Sequence, residues 1–377
     1  MRPTGVFITE IEPETGGVPL AVKDLFDTSG VRTTYGSAIF REHVPTASAE
    51  AVMRLEAAGY VNVGKANLHE FAYGTTSDNE HFGRVPNPLA RDRTAGGSSG
   101  GSAAALAGGF AEAALGTDSG GSIRIPAACC GVTGFKPSFG LVPVTGCFPL
   151  APSFDHAGPM ARDVERCERM MEALVPGFEA AEPAALDELR IGVAWIDRAD
   201  PLVRRQIESA AALFPRLQAL ELPLPHGIGP VFEREVAEVH AELWGEQSGR
   251  YGKSVAHKVE RALRVSDAEV HVALQAREFY REQLAELMAS VDLVLTPTMA
   301  MVAPPAALGE APVRERMLQF TYPWNAIGAP ALALPCGPAE DGLPASVQLI
   351  GRPGHDGLVL AAGRLLEQAL SKPRAYT

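Results

Sequence analysis

Short apolar runs and polar turns alternate along the first part of the chain. In order, they predict a strand over 17–22, a helix over 48–58, a strand over 60–63, a helix over 102–107 and a strand over 113–115. Lys23 directly follows the first apolar run, so its side chain is expected to be partly desolvated. Alternation of helices and strands is typical of α/β folds, and this is the fold class that the pattern predicts.

The middle of the chain carries charged amphipathic helices, and the last third returns to apolar strands. The pattern predicts helices over 231–244 and 270–288, a short strand at 189–195, three strands at 291–295, 331–334 and 347–350, and a closing helix over 358–370. No internal repeat or low-complexity linker divides the chain. We therefore predict one domain over residues 1–377, with a sheet core at 1–165 and 291–377 that holds the candidate catalytic motifs, and a helical cover at about 175–290.

Composition and charge narrow the class of protein. A hydrophobic share of 46% with 21% charged residues is that of a globular chain rather than a disordered or collagen-like one. Acidic residues outnumber basic residues by 45 to 33, which argues against nucleic acid or an anionic membrane as a partner. Five cysteines, two of them adjacent, indicate neither a disulfide framework nor a metal site. Without a signal-peptide pattern or a long apolar run, the predicted location is the cytoplasm.

Two serine-glycine turns, at 96–102 and 119–122, carry the candidate chemistry. Phosphate binding is one interpretation, but neither turn has the GxGxxG spacing, and the Gly-Lys-Ser string at 252–254 has Gln247 where a P-loop needs glycine. Residues 96–100 satisfy the GxSxG pattern of α/β-hydrolases. The polar residues before that string are not the buried strand that a nucleophile elbow follows, which disfavours this class.

A serine nucleophile also needs a base, and the sequence offers histidine or lysine. A Ser-His-Asp triad through His156 or His81 stays open. Lys23 is the other candidate, because burial lowers the pKa of a lysine from about 10.4 by up to roughly 3–5 units and so allows a neutral amine. The turn at 119–122 would present backbone N–H groups to an oxyanion beside the Ser122 hydroxyl.

These stretches resemble the amidase signature family of serine hydrolases. The matching segments are 17–24, 96–102 and 116–127, with further similarity at 131–137, 149–161, 342–344 and 348–353. The resemblance covers nearly the whole chain and is weakest between about 175 and 290. It begins at 5–8, so the leading helices common in relatives are expected to be absent. It implies an α/β fold with a central mixed β-sheet covered by helices on both faces.

The resemblance also implies a Ser-cisSer-Lys triad, with Ser122 as nucleophile, Ser98 as bridging serine after a cis peptide bond, and Lys23 as base. Ser99 is the alternative bridge. The implied oxyanion and supporting residues are Ser119, Gly120, Gly121, Asp118, Ser99 and Arg124. Candidate pocket walls are the loop at 73–75 with Gly74 and Thr75, the helix around Trp244, and residues 321–324. No metal or cofactor is expected.

The reaction implied is hydrolysis of a carboxylic amide through a Ser122 acyl-enzyme. Two alternatives stay open, namely the glutamine amidotransferase subunit of a tRNA-dependent amidotransferase and a hydrolase of ureido compounds such as biuret or allophanate. Ile125 stands where amidotransferase subunits usually have glutamine, which favours a stand-alone amidase. A catalytically silent scaffold is a further alternative, against which the intact triad argues. The expected partner is a small-molecule amide, without nucleic acid or membrane, and a homodimer stays open.

Overall fold

A sheet of eleven strands runs through the part of the chain that the computed structural model describes, residues 4–12, 16–180, 183 and 185–372. In chain order the strands are β1 (Phe7–Glu10), β2 (Val18–Lys23), β3 (Tyr60–Ala66), β4 (Asp78–Asn79), β5 (Gly83–Arg84), β6 (Ala113–Asp118), β7 (Thr133–Lys136), β8 (His156–Ala161), β9 (Arg190–Val193), β10 (Arg216–Ala219), β11 (Leu293–Pro297), β12 (Ala331–Pro338) and β13 (Pro344–Ile350). Their order in the sheet is β1-β3-β2-β6-β8-β7-β12-β13-β11-β9-β10, while β4 and β5 pair with each other.

The sheet is mixed. Strands β3, β2 and β6 run parallel to one another, as do β11, β9 and β10 near the other edge. The central pairs from β6 to β11 are antiparallel, and so is the edge pair β1 and β3. The carboxyl ends of β2 and β6 therefore meet at the same edge of the sheet.

Helices cover both faces of this sheet. They are α1 (Glu50–Ala57), α2 (Gly100–Ala107), α3 (Arg124–Cys130), α4 (Val164–Leu174), α5 (Pro201–Ala211), α6 (Gly229–Gln247), α7 (Lys253–Ala262), α8 (Asp267–Leu287), α9 (Arg314–Leu318), α10 (Tyr322–Ala326) and α11 (Asp356–Ser371). Leu20 and Val22 of β2 pack in one apolar cluster with α1, α4, α5 and α11, whereas Ala21 packs in another cluster with α2. Alternate residues of a strand point to opposite faces, so both faces are buried. The predicted α/β class and mixed sheet are confirmed.

The helical cover is shorter than the segment of about 175–290 predicted from the sequence. Strands β9 and β10 extend the sheet, and Ile191 of β9 is buried in the same cluster as Leu293 of β11. The cover consists of α6, α7 and α8, whose buried residues form a cluster with Val294 and Ile350 on the other face. The division into a single domain stays a prediction. Within the described ranges, no helix is both long and apolar enough to cross a membrane.

Candidate active site

The site lies at the sheet edge where β2 and β6 end. Val22 is opposite Leu115 in the parallel register, which brings Lys23, the last residue of β2, beside the end of β6. The turn at 119–123 follows β6 directly. The turn at 96–99 leads into α2. It contacts the turn at 119–123, because the Ser99 N–H donates to the Ser122 carbonyl at 3.2 Å. Three segments that are distant in sequence thus meet at one strand end.

Lys23 is fully buried, and its side-chain nitrogen has two hydroxyl partners. Nζ lies 2.7 Å from Ser98 Oγ and 2.6 Å from Thr117 Oγ1. Burial lowers the pKa of Lys23 to about 7, although nearby acidic groups, including Asp118 and Asp155, act in the opposite direction. A large part of this lysine is therefore neutral near pH 7 and able to accept a proton.

Hydrogen bonds from two neighbouring segments fix the backbone at Ser98. The Gly97–Ser98 peptide bond is cis, as the resemblance implied. The Ser98 carbonyl accepts hydrogen bonds from the His69 N–H at 3.2 Å and from the Ser77 hydroxyl at 3.1 Å. A Cβ atom on Gly97 would lie 2.7 Å from the Ser77 nitrogen, so only glycine fits before this serine.

Asp118 shapes the second turn by accepting hydrogen bonds from the turn itself and from Arg124. Its carboxylate accepts from the N–H of Gly121 at 2.7 Å and of Ile123 at 3.2 Å, and from Arg124 Nε and Nη2, both at 3.0 Å. Burial would raise the pKa of Asp118, but the Arg124 guanidinium outweighs burial and holds this pKa well below its usual range. Asp118 thus connects Arg124 to the backbone of this turn.

The backbone of the turn differs from the prediction at Gly121. Its N–H donates to Asp118, so it does not face an oxyanion. Gly121 is required for another reason: its φ is +134°, and a Cβ atom there would lie 2.3 Å from Thr321 Oγ1. Within the described part of the chain, three backbone N–H groups of the turn have no acceptor, those of Ser119, Gly120 and Ser122. These three remain available to a developing negative charge.

The serine side chains of the two turns have different partners. The Ser99 hydroxyl donates to the Thr117 carbonyl at 3.2 Å, so Ser99 supports the strand end and does not contact Lys23. The Ser119 hydroxyl donates to the Asp155 carboxylate. The Ser122 side chain belongs to a residue that is 9% exposed, and it makes no hydrogen bond to any described residue. Ser122 is thus free to react, while Ser99 and Ser119 are engaged.

Ser122 opens onto a cavity of about 480 Å³. Gly74 and Thr75 line it as predicted, together with Ser119 and Gly120. The wall also contains residues that the sequence did not single out, including Phe232, Glu233, Arg261, Arg314 and Leu318. Of the predicted wall segment 321–324, Tyr322 lines the cavity, but Trp324 is fully buried in the core. Trp244 is not part of this wall and packs against Tyr251 instead.

The described residues do not form a Ser-His-Asp triad through His156 or His81. His156 Nδ1 lies 2.7 Å from the Phe154 carbonyl and 3.1 Å from the Asp118 carbonyl, and it contacts no serine hydroxyl of the described chain. His81 Nε2 lies 3.0 Å from a Glu70 carboxylate oxygen. Nor do the described residues contain a cluster of histidine, cysteine, aspartate and glutamate that could hold a metal ion.

Sequence reasoning missed three residues that support the site. Thr117 contacts Lys23, whereas Asn325 and Gln348 accept hydrogen bonds from Arg124 at 2.7 and 3.2 Å. Thr117 has a local signal, because it is the next-to-last residue of the buried strand β6, directly before Asp118. Asn325 and Gln348 have none, since they lie about two hundred residues from the turn that they support.

We expect the substitution Asp118→Asn to lower the free energy of unfolding by about 3–5 kcal/mol, because it leaves the buried Arg124 charge without its carboxylate. Urea unfolding followed by circular dichroism measures the change. As a control, Glu208→Gln removes an exposed ion pair with Arg204 and should leave the unfolding midpoint almost unchanged. Equal midpoints for the two variants would contradict the supporting role.

A buried carboxylate, Glu310, fixes the loop at 73–75. Its oxygens accept hydrogen bonds from the Thr75 N–H at 3.1 Å and from Arg314 Nη1 at 2.8 Å, and they form an ion pair with Lys258. Lys258 Nζ also donates to the Tyr73 carbonyl at 2.8 Å. Burial would raise the pKa of Glu310, but the surrounding basic side chains of His69, Lys258 and Arg314 lower it to about 2.

The substitution Glu310→Gln is therefore expected to loosen this loop. We expect amide hydrogen exchange at Thr75 to accelerate by at least about tenfold, since a hydrogen bond to a charged acceptor is worth about 1.5–3 kcal/mol. Exchange measured by mass spectrometry on the peptide that contains residue 75 reports this. Glu315→Gln removes a neighbouring exposed carboxylate and should leave the exchange at Thr75 unchanged. An equal effect of both variants would refute the role of Glu310 in fixing the loop at 73–75.

The family model described as Amidase matches residues 9–222 and 231–360, and the chain belongs to this family. The protein is therefore an enzyme of a family that acts on C–N bonds. The chain is 36% identical to a glutamyl-tRNA(Gln) amidotransferase subunit of Roseiflexus sp. (strain RS-1), over 92% of this chain and 81% of that protein. It is equally 36% identical to the 1-carboxybiuret hydrolase subunit AtzE of Pseudomonas sp. (strain ADP), over 95% and 85%.

Solved structures lead to the same family. A crystal structure of an amidase matches with a TM-score of 0.87 and 36% identity, over 94% of this chain and 85% of that one. The structure of the corresponding glutamyl-tRNA(Gln) amidotransferase subunit from Thermotoga maritima matches with a TM-score of 0.83 and 30% identity, over 96% and 87%. The amidase signature resemblance seen in the sequence is confirmed.

Proposed function

We propose that this protein is an amidohydrolase that cleaves a carboxylic amide through an acyl-enzyme on Ser122. The observation that carries the proposal is the buried Lys23 Nζ, 2.7 Å from Ser98 Oγ, with its pKa lowered to about 7. A base with a pKa near the working pH is suited to proton transfer. The unengaged Ser122 hydroxyl and the cavity next to it supply the nucleophile and room for a substrate.

In the proposed reaction, the Ser122 hydroxyl, which makes no hydrogen bond in the described structure, first turns toward Ser98. Its oxygen then bonds to the amide carbonyl carbon while its proton passes to Ser98 Oγ. The Ser98 proton passes at the same time to neutral Lys23. The negative charge that forms on the carbonyl oxygen is stabilised by the free N–H groups of the turn, those of Ser119, Gly120 and Ser122. The C–N bond then breaks, and the amine leaves with the proton that returns from Lys23. Water releases the acid by the same relay.

A fluorophosphonate probe tests the nucleophile directly. We expect covalent labelling of the parent protein at Ser122, located by peptide mass spectrometry, and none in a Ser122→Ala variant. Hydroxylamine added to an amide substrate should yield the hydroxamate, because it competes with water for the acyl-enzyme. Labelling at another serine, or hydrolysis without hydroxamate, would overturn the proposal.

Release of ammonia from glutamine for a partner protein is a second candidate. The relatives named as glutamyl-tRNA(Gln) amidotransferase subunits favour it, and the relative named 1-carboxybiuret hydrolase subunit AtzE favours a ureido substrate. Both reactions use the same acyl-enzyme chemistry and differ in the acyl group. Rates of ammonia release from glutamine, from biuret and from simple amides distinguish them.

A further inference from the structure

We propose that the acyl group of the substrate is an uncharged aromatic group, so that the enzyme acts on primary amides of aryl or arylalkyl acids. This inference rests on the proposed function and adds the substrate class. A primary amide releases only ammonia, which needs almost no space. For such a substrate, the cavity of about 480 Å³ beside Ser122 would hold the acyl part, and this volume is typical of sites for drug-sized ligands.

Aromatic rings form a continuous wall of this cavity. Tyr73, Phe232 and Tyr322 all line it. The Phe232 ring contacts Tyr73 at 6.1 Å between centroids and meets Tyr322 edge-on at 6.3 Å. Phe154 stacks behind Tyr322 at 5.8 Å with an angle of 11° and fixes its orientation. A ring held in this way presents a flat apolar surface to a second ring.

The aromatic wall begins directly at the reacting centre. A Cβ atom on Gly120 would lie 3.5 Å from Tyr322 Cδ2 and 3.4 Å from Leu318 Cδ2. These two side chains thus lie over the turn whose N–H groups are free for an oxyanion. An acyl group attached to the carbonyl carbon would therefore contact Tyr322 within its first few atoms.

The charged residues of the cavity disfavour an anionic or zwitterionic acyl group. Arg261 pairs with Glu233 at 2.7 Å, and Arg314 pairs at 2.8 Å with Glu310, a carboxylate that Lys258 also contacts. Glu315 is the remaining charged residue of the wall, and it is an anion. Among the described residues that line this cavity, no cation is left unpaired for a substrate carboxylate. The two arginines and two glutamates that line the cavity sum to zero charge, so the cavity offers no net positive charge to the carboxylate of glutamine or of a carboxylated ureido compound.

Steady-state kinetics on four primary amides test the substrate class. We expect kcat/KM for 3-phenylpropionamide to exceed that for propionamide by at least about 100-fold, because the ring is buried only in the first compound. Succinamate and glutamine should fall below propionamide. Succinamate or glutamine ranking above 3-phenylpropionamide would overturn the inference.

Phe232→Ala tests the wall, with Phe279→Ala as a matched control. Phe279 is 67% exposed on α8 and lies outside the cavity. Phe232→Ala should lower kcat/KM for 3-phenylpropionamide at least about tenfold and change that for propionamide less than about twofold. Phe279→Ala should change neither. An equal loss on both amides in the Phe232 variant would refute a role in acyl recognition.

Boronic acids separate failure of this inference from failure of the proposed function. They bind reversibly to a reactive serine without a leaving group. We expect 2-phenylethylboronic acid to protect Ser122 from a fluorophosphonate probe at a concentration at least about tenfold lower than propylboronic acid. Equal protection by both would overturn the aromatic preference while Ser122 keeps its role. No labelling of Ser122 at all would refute the proposed function and this inference with it.

Discussion

Replacement of Ser122 by alanine is expected to lower kcat on an amide substrate by at least about 10⁴-fold and to leave KM almost unchanged. Loss of the nucleophile in a serine hydrolase removes most of the catalysis and leaves only the part that comes from binding and oxyanion stabilisation. The Ser122 hydroxyl makes no hydrogen bond in the described structure, so its removal leaves no buried partner unsatisfied. The loss should therefore be one of activity and not of stability.

Ser102→Ala is the matched control for this substitution. Ser102 is a fully buried serine near the site, but its hydroxyl donates to the Leu115 carbonyl at 3.3 Å from the helix α2. We expect kcat to change less than about threefold in this variant. Steady-state assays and thermal unfolding of both variants provide the comparison. Retention of a tenth or more of the parent kcat in Ser122→Ala would contradict the proposed nucleophile.

The second large effect concerns Lys23 and pH. The proposed base must be neutral, and burial lowers its pKa to about 7. Below pH 7 the protonated form predominates, so kcat/KM should rise about tenfold for each pH unit up to about 7 and level off above it. Lys23→Met should lower kcat/KM by about 10²–10⁴-fold, the range of general-base catalysis, and remove this inflection.

Lys23→Arg is the informative companion, because a guanidinium keeps the positive charge but is not deprotonated in proteins. It should be as inactive as Lys23→Met across pH 5 to 9. Lys253→Met changes a lysine at the start of α7, outside the active-site cavity, and should keep the parent profile. A parent profile that is flat between pH 5 and 9 would refute the role of Lys23 as base.

Local pattern was sufficient for part of the fold, but the central strands β7 and β8 and the helix α3 were not predicted. The apolar run before Lys23 predicted β2, and alternation between 48 and 118 predicted α1, β3, α2 and β6 close to their observed bounds. These elements have short-range signals, namely glycine turns and apolar periodicity. In the helical cover, the strand predicted at 189–195 corresponds to β9, whereas β10 was not predicted. Strand β10 is short and exposed, and it is stabilised as a strand by pairing with β9.

The sequence by itself determined which residues are chemically able to act: a lysine at the end of a buried strand, and serines in two glycine turns. Those features are local, so each is readable from its neighbours. Only the tertiary structure determined which groups each of these residues contacts. Gly121 gives its N–H to Asp118, Glu310 fixes Thr75 from 235 residues away, and aromatic residues of separate segments form the cavity wall. The burial, the hydrogen-bond partners and the desolvation of a side chain depend on contacts between segments that are distant in sequence. A local sequence pattern therefore does not predict them.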